Sequence, residues 1–532
     1  MALDRLVVLI AITFLCAPMA TAQEKAASRE KLGAVDFPVS CTPEAQAQFN
    51  RAVAMLHSFW FPQAPKAFAA VSEMDPECAM AHWGIAISQR ANPLVGPPNA
   101  AAVKRGLASV EKAKAIGAKT QRERDYIAAT ELFYKDSDKF DHRTRVLAYE
   151  KAMEQLYLAY SQDIEAAIFY ALALNEAIDY EDKTYARQFK AARILEKAYA
   201  KQPEHPGVLH YLIHTYDFPS LAARGLPTAR RYASVAPSAP HALHMPSHIF
   251  SMLGMWQESI KSNREALGVA KNYVHAMDFM VYAQLQRAQD GEAKRLLEES
   301  AALYKTQAPT ATLTPTGGVL AVHTAFAAIP ARYAIERGAW ADAAALQPRP
   351  STPAADAITY FTRAMGSVRN GDVNSARKDI EQLESLKNTL MKSKQKYWAD
   401  QVEIQRRAAA ASVAQAEGKK NEALKLMRSA AALEDASEKH VAMENRLWPM
   451  RELLGEMLLQ LNEPAQALKE FEASFKAAPN RFRGYYGAAK AAERLGDQKK
   501  TRVYYEKLVE LCRQADTDRT ELAEAKAFFA KK

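Results

Sequence analysis

Residues 203–249 read PEHPGVLHYLIHTYDFPSLAARGLPTARRYASVAPSAPHALHMPSHI, and the prolines Pro203 and Pro237 stand one repeat period apart. Each closes a stretch whose apolar residues recur at steps of three and four, the spacing of one buried helix face. The phase returns elsewhere. Phe49, Ala64, Phe68 and Asp75-Pro76 fall in one unit near the start; Ala467, Phe471 and Pro479 fall in one near the end, and Thr501 and Tyr505 follow the first two of these by the same interval that separates Pro203 from Pro237. Gly371, Gly418 and Gly496 each lie between two apolar-periodic stretches, where the turn joining two antiparallel helices belongs. A fixed period of this length predicts an array of helical hairpins, each burying its apolar face against its neighbours.

These units resemble the tetratricopeptide repeat (TPR), two antiparallel helices in a unit of about 34 residues. The resemblance implies an all-α fold, a TPR-type helix-hairpin superhelix (α-solenoid). Units are expected near 45–78, 206–239, 240–273, 274–307, 357–390, 404–437, 448–481 and 482–515, with 100–200 helical in a looser phase, as the spacing of Ala152, Leu156 and Ala159 indicates. Interruptions rich in Pro, Thr and Gly at 307–318 and 347–353 mark a boundary. They divide an N-terminal array, 38–345, from a C-terminal array, 355–532.

Composition narrows the class. Only 20 glycines and 25 prolines occur among 532 residues, which argues against collagenous, β-rich and disordered chains. The 70 basic and 61 acidic residues leave a net charge of +9, but the basic cluster Lys392-Ser-Lys394-Gln-Lys396 reads as a solvated helix face, so no nucleic-acid partner is expected. No P-loop, GxSxG, HExxH or CxxC motif occurs, and enzymatic activity is left open. The start is different in kind: a charged Met1-Ala-Leu-Asp-Arg5, an apolar run over 6–15 and Ala20-Thr-Ala22 before Gln23 read as a signal peptide, 1–22. The run is too short for a membrane span. A soluble, periplasmic or secreted protein is expected, in which Cys41 and Cys78, at one end of an antiparallel helix pair, form a disulfide and Cys512 stays a buried thiol.

Seven of the twelve histidines, His205, His210, His214, His241, His244, His248 and His275, crowd into 205–275. In TPR proteins, positions 2, 5, 9 and 12 of the first helix line the concave groove. For units starting at 206, 240 and 274 the resemblance places there Gly207, His210, His214 and Asp217; His241, His244, His248 and Ser251; His275, Asp278, Tyr282 and Leu285. Six of twelve positions are His. The same positions in units 448 and 482 hold Pro449, Glu452, Glu456 and Leu459, then Arg483, Tyr486, Lys490 and Glu493, so the histidine lining belongs to one region and not to the repeat.

His210 and His214, like His244 and His248, are i,i+4 neighbours and share a helix face; the offset of one period sets the two pairs side by side. Several neutral imidazoles with a carboxylate suit borderline transition metals, copper and zinc above all. The expected metal ligands are His210, His214, His244 and His248, with His275 and Asp278 as further ligands or as groups that fix imidazole tautomers. His241, Asp217 and Tyr282 are placed at the rim and His205 in the preceding turn. Pro246 should kink the first helix of its unit. Met245, Met252 and Met255 read as core and lean slightly toward copper. His82 is explained by packing beside Trp83, and His57, His142, His323 and His440 show no partner pattern.

The strings His205-Pro-Gly-Val-Leu-His210-Tyr-Leu-Ile-His214 and His241-Ala-Leu-His244-Met-Pro-Ser-His248-Ile resemble a group of exported bacterial TPR proteins, as do Cys41, Cys78 and the segment 79–84. The resemblance covers 38–345 and implies an α-solenoid outside the cytoplasm with a special role for these histidines. It carries no activity. The leading expectation is a transition-metal site in the groove; the alternative is a metal-free scaffold holding a protein or peptide partner.

Overall fold

The computed structural model describes residues 30–307, 318–349 and 351–530. The signal peptide expected over 1–22 lies outside them. From Leu32 onward the chain is one compact unit. Its regular elements are all helices, and no strand occurs among the described residues.

The helices pair as antiparallel hairpins. Pro43–His57 packs on Ala64–Met74, Pro206–Tyr216 on Ala222–Val235, Val274–Gln286 on Asp290–Thr306, and Phe482–Arg494 on Gln498–Leu511. Between them, 100–200 holds further hairpins such as Ile164–Glu176 with Ala186–Lys201. Local chemistry sets the boundaries. The Thr42 hydroxyl accepts the Ala45 N–H ahead of Pro43, and Thr120 and Glu123 cap each other's backbone at the start of Gln121–Tyr134. Gly371, Gly418 and Gly496, at φ of 82°, 77° and 70°, make the left-handed turns inside three C-terminal hairpins. Cys41 and Cys78 are joined by a disulfide, with their Cα atoms 5.0 Å apart, and Cys512 is a buried thiol.

The helices before and after residues 346–352 pack together along three seams. Arg481 reaches Glu336 and Glu452, both at 2.7 Å, and the Tyr282 hydroxyl, all buried. Arg519 pairs with Asp290 at 2.6 Å. The third seam is residues 436–449, an irregular stretch between the helices Lys420–Asp435 and Met450–Gln460 that is largely buried. Buried irregular backbone needs partners for its polar groups, and the N-terminal helices supply them: Ala442 O accepts from the Thr324 hydroxyl at 3.2 Å and Asn445 O from Arg332 Nη2 at 2.9 Å, while Lys439 reaches Asp217 at 3.0 Å.

Candidate metal centre

Three stacked first helices carry the histidines. Pro206–Tyr216 is buried along its whole length; Pro206 opens it, and His205 caps it by accepting the Val208 N–H on Nδ1 at 3.3 Å. In the next repeat Pro246 has no N–H for the Ala242 carbonyl, and the helix divides into Pro240–His244 and Pro246–Met252. Met245 joins the two pieces with helical φ of −53° and an N–H bonded to His241 O at 2.9 Å. The third helix, Val274–Gln286, is buried throughout.

The histidines gather as two sets of three. His210 Nε2 lies 3.0 Å from His214 Nε2 and 3.1 Å from His241 Nε2. His244 Nε2 lies 3.1 Å from His248 Nε2, and His275 completes that set. Within each set, one ring nitrogen per residue lies within 4.8 Å of the others. The four residues expected in a single pocket are therefore shared between two sets. Each set is an i,i+4 pair from one repeat plus the position-2 histidine of the next, and the second set is the first displaced by one repeat: 210 to 244, 214 to 248, 241 to 275. Adjacent hairpins are staggered, so the first turn of one helix faces the middle of the preceding one; this brings His241 from the rim into a set. The signal was the common spacing from His214 to His241 and from His248 to His275. The sets adjoin, with 5.8 Å between the ring centres of His214 and His248 and the same between His241 and His244.

Other expected residues stand differently. Asp278 accepts from Arg332 Nε at 2.9 Å and belongs to neither set, and the Tyr282 hydroxyl is engaged by Arg481. Asp217 takes the tautomer-fixing place instead, accepting from His248 Nδ1 at 2.8 Å and from Lys439.

For His210, His244 and His248 the hydrogen bonds fix where the proton is; the Nδ1 of His214 and that of His275 are buried without a partner. His210 Nδ1 donates to His57 O at 2.6 Å. His244 Nδ1 donates to Asn263 Oδ1 at 2.6 Å, and the amide cannot turn over because its Nδ2 donates to Ser259 O at 2.8 Å. His248 Nδ1 donates to Asp217. A neutral imidazole protonated at Nδ1 carries a bare lone pair on Nε2. His244 and His248 thus aim two lone pairs at each other across 3.1 Å, which is no hydrogen bond. Burial keeps the rings neutral, taking the pKa of His210 down to about 3 and of His244 to about 4, and holding His214, His241, His248 and His275 well below the usual 6.5. A tetrahedral ion with 2.0–2.1 Å bonds sets its nitrogen ligands about 3.3 Å apart, close to these separations.

Aromatic rings wall each set. Phe59 lies 4.4 Å from His210 and 5.7 Å from His241 between ring centres, and Phe279 lies within 5.0 Å of His244, His248 and His275. A crevice of about 10 Å³, the room of a single water, touches the first set, lined by Leu94, Asn175, Tyr180, His214, Asp217 and Lys439.

A third cluster, His57, Glu165 and His205, offers a control. Glu165 binds His57 Nε2 at 2.8 Å and His205 Nε2 at 2.9 Å, His57 Nδ1 meets the Tyr211 hydroxyl at 2.9 Å, and His205 Nδ1 accepts Val208 N–H. Every ring nitrogen and carboxylate oxygen has a partner. Burial alone would raise the Glu165 pKa, but the two rings hold it at about 2. Sequence reasoning missed His57, whose role is to buttress His210 through its carbonyl. It also explains Gly207: a Cβ there would lie 2.6 Å from His57 Nδ1, so this position, His in the next two repeats, ends the histidine series.

No protein-family model and no curated protein matches the chain. Among solved structures it is similar to the human IFIT1 dimer with m7Gppp-AAAA, at 12% identity over 81% of this chain and 90% of that one, TM-score 0.39. It is also similar to the APC/C hetero-tetramer Cut9-Hcn1, at 10% identity over 90% of each chain and TM-score 0.32. The Naa15/Naa10 complex bound to HypK-THB gives 13% identity over 88% of this chain and 70% of that one, TM-score 0.25. At these scores the likenesses carry no functional argument.

Proposed function

We propose that this protein is an exported TPR-type solenoid that binds two transition-metal ions, one in the set His210, His214 and His241 and one in His244, His248 and His275. One observation carries the reading. The Nδ1 protons of His244 and His248 are committed to Asn263 and Asp217, which leaves two opposed lone pairs 3.1 Å apart in a buried pocket with no proton between them. An ion turns that repulsion into coordination, and the buttressing acceptors are the partners that metal-bound histidines use. Copper and zinc both accept imidazole. Three protein donors per ion is the count of reactive sites more than of closed structural ones, and the crevice at His214 admits a water-sized ligand. The Cys41–Cys78 bridge and the leader-like 1–22 favour an oxidising, extracytoplasmic compartment.

The alternative, capture of a protein or peptide, finds little room beside the histidines, because residues 436–449 of the chain itself reach Asp217 there. Its place is the C-terminal concavity of about 140 Å³ lined by Trp448, Glu456, Arg483, Tyr486 and Lys490. The test is metal analysis by plasma mass spectrometry on protein exported with its own leader, beside a His244→Ala/His248→Ala variant. The expected result is near-stoichiometric metal that falls by at least half in the variant. Absence of metal from both, even after loading with copper and zinc, would sink the reading and leave the scaffold.

A further inference from the structure

We infer that the two ions are monovalent copper, a cuprous pair held by six neutral imidazoles. The inference rests on the metal-binding reading above and goes further, to the charge the pocket tolerates.

Neither ligand set contains a carboxylate or a thiolate. Helical bundles that hold two divalent ions side by side surround them with glutamates, which cancel the charge. Here the charges acting on the rings come from Asp217 and Lys439, and those two cancel as an ion pair at 3.0 Å. One turn beyond His275, Asp278 is cancelled by Arg332 at 2.9 Å. Another buried carboxyl, Glu444, lies 4.0 Å from Arg332, which Asp278 already engages, and burial pushes its pKa up to about 8; Glu165, on the far side of His57, is held by His57 and His205.

Two divalent ions would bring four positive charges into this pocket and two cuprous ions only two. Mutual repulsion scales with the product of the charges, so it is about four times larger for the divalent pair at the same separation. Burial adds a penalty that also rises steeply with charge. With no carboxylate in either ligand set, the divalent pair would bring twice the uncompensated charge of the cuprous pair. The crevice at His214 has room for a water-sized ligand. Six neutral imidazole donors without oxygen ligands suit copper, and the Phe59 and Phe279 rings that wall them favour the ion of lower charge.

The experiment is an anaerobic titration of metal-free full-length protein with cuprous ion supplied as its acetonitrile complex, and in parallel with zinc sulfate and cupric sulfate, each followed by desalting, metal counting and electron paramagnetic resonance. The expected result is two copper ions per chain, silent in the resonance spectrum, with a cuprous X-ray absorption edge, and not displaced by excess zinc. A His275→Ala variant, with its fold checked by circular dichroism, retains one. Two zinc ions, or two paramagnetic cupric ions, bound in preference to cuprous copper would overturn the inference while leaving the metal-binding reading intact. Retention of no ion of any kind would overturn both.

Discussion

His248 shows how much a single residue's surroundings decide. Its ring shares a helix face with His244 as i,i+4 periodicity requires, but its usefulness as a ligand depends on Asp217, 31 positions away, accepting the hydrogen bond from its Nδ1–H. Changing Asp217 to Asn keeps the shape and loses the charge, and loss of such a buttress typically weakens metal binding by about 10- to 100-fold. Competition with a chromophoric chelator should show that drop, with near-native circular dichroism; unchanged affinity would remove Asp217 from the site. Gly207→Ala tests the opposite wall. Its new Cβ would strike the His57 ring, which is fixed by Tyr211 and Glu165, so a destabilisation of about 1–3 kcal/mol is expected in denaturant unfolding. The i,i+4 pairs and their one-repeat offset were legible in the sequence, because they follow from helix and repeat periodicity alone. His57, Asn263 and the exclusion of Asp278 were not, because they depend on which side chain faces which across packed helices.

The element that organises the site is the divided helix 240–252. Pro246 breaks one backbone bond, yet Met245 stays helical, and both pieces keep their rings buried among those of the helices before and after. The kink expected from Pro246 is thus a division of the helix at Met245, and His241 joins His210 and His214 in the first set. Stacking three such helices imposes a pH dependence on the metal-free protein. For a base whose pKa falls on folding, the unfolded chain binds more protons between the two values, so stability rises with pH there. His210 and His244 fall from 6.5 to about 3 and about 4 as they are buried. Stability of the metal-free protein should therefore decline as pH drops from about 6.5 toward 4, read as a falling urea midpoint in the presence of chelator. Glu165 works in a separate window. Its pKa is depressed, so its contribution is complete above the unfolded value of about 4.5 and is lost as pH falls toward 2. A flat midpoint between pH 7 and 4 would mean the rings are not held neutral.

At the scale of the whole molecule, the repeat period gave away the hairpins, but nothing periodic announced 436–449, which falls between two units and has no helical spacing. Its residues are buried because the other half of the chain completes them, a relation that no local pattern encodes. The same holds for Arg481, whose partners Tyr282 and Glu336 lie in the N-terminal half and Glu452 in the C-terminal half. Removing a buried cation while leaving its carboxylates behind costs about 3–5 kcal/mol, so Arg481→Leu should strip Glu336 and Glu452 of their match and loosen the seam. Cys512 reports on that event. Burial pushes its thiol pKa up to about 12, and it sits beside Arg519 and Arg287 where residues 512–519 meet the 287–290 turn. In the native protein at mildly alkaline pH, iodoacetamide should leave Cys512 unmodified. In Arg481→Leu, alkylation at denaturant concentrations below the global unfolding transition is expected, because the C-terminal hairpins part from the N-terminal array before either half melts. If labelling instead tracks the loss of helical circular dichroism in both proteins, the two halves unfold as one cooperative body, and the histidine site and the segment against it stand or fall together.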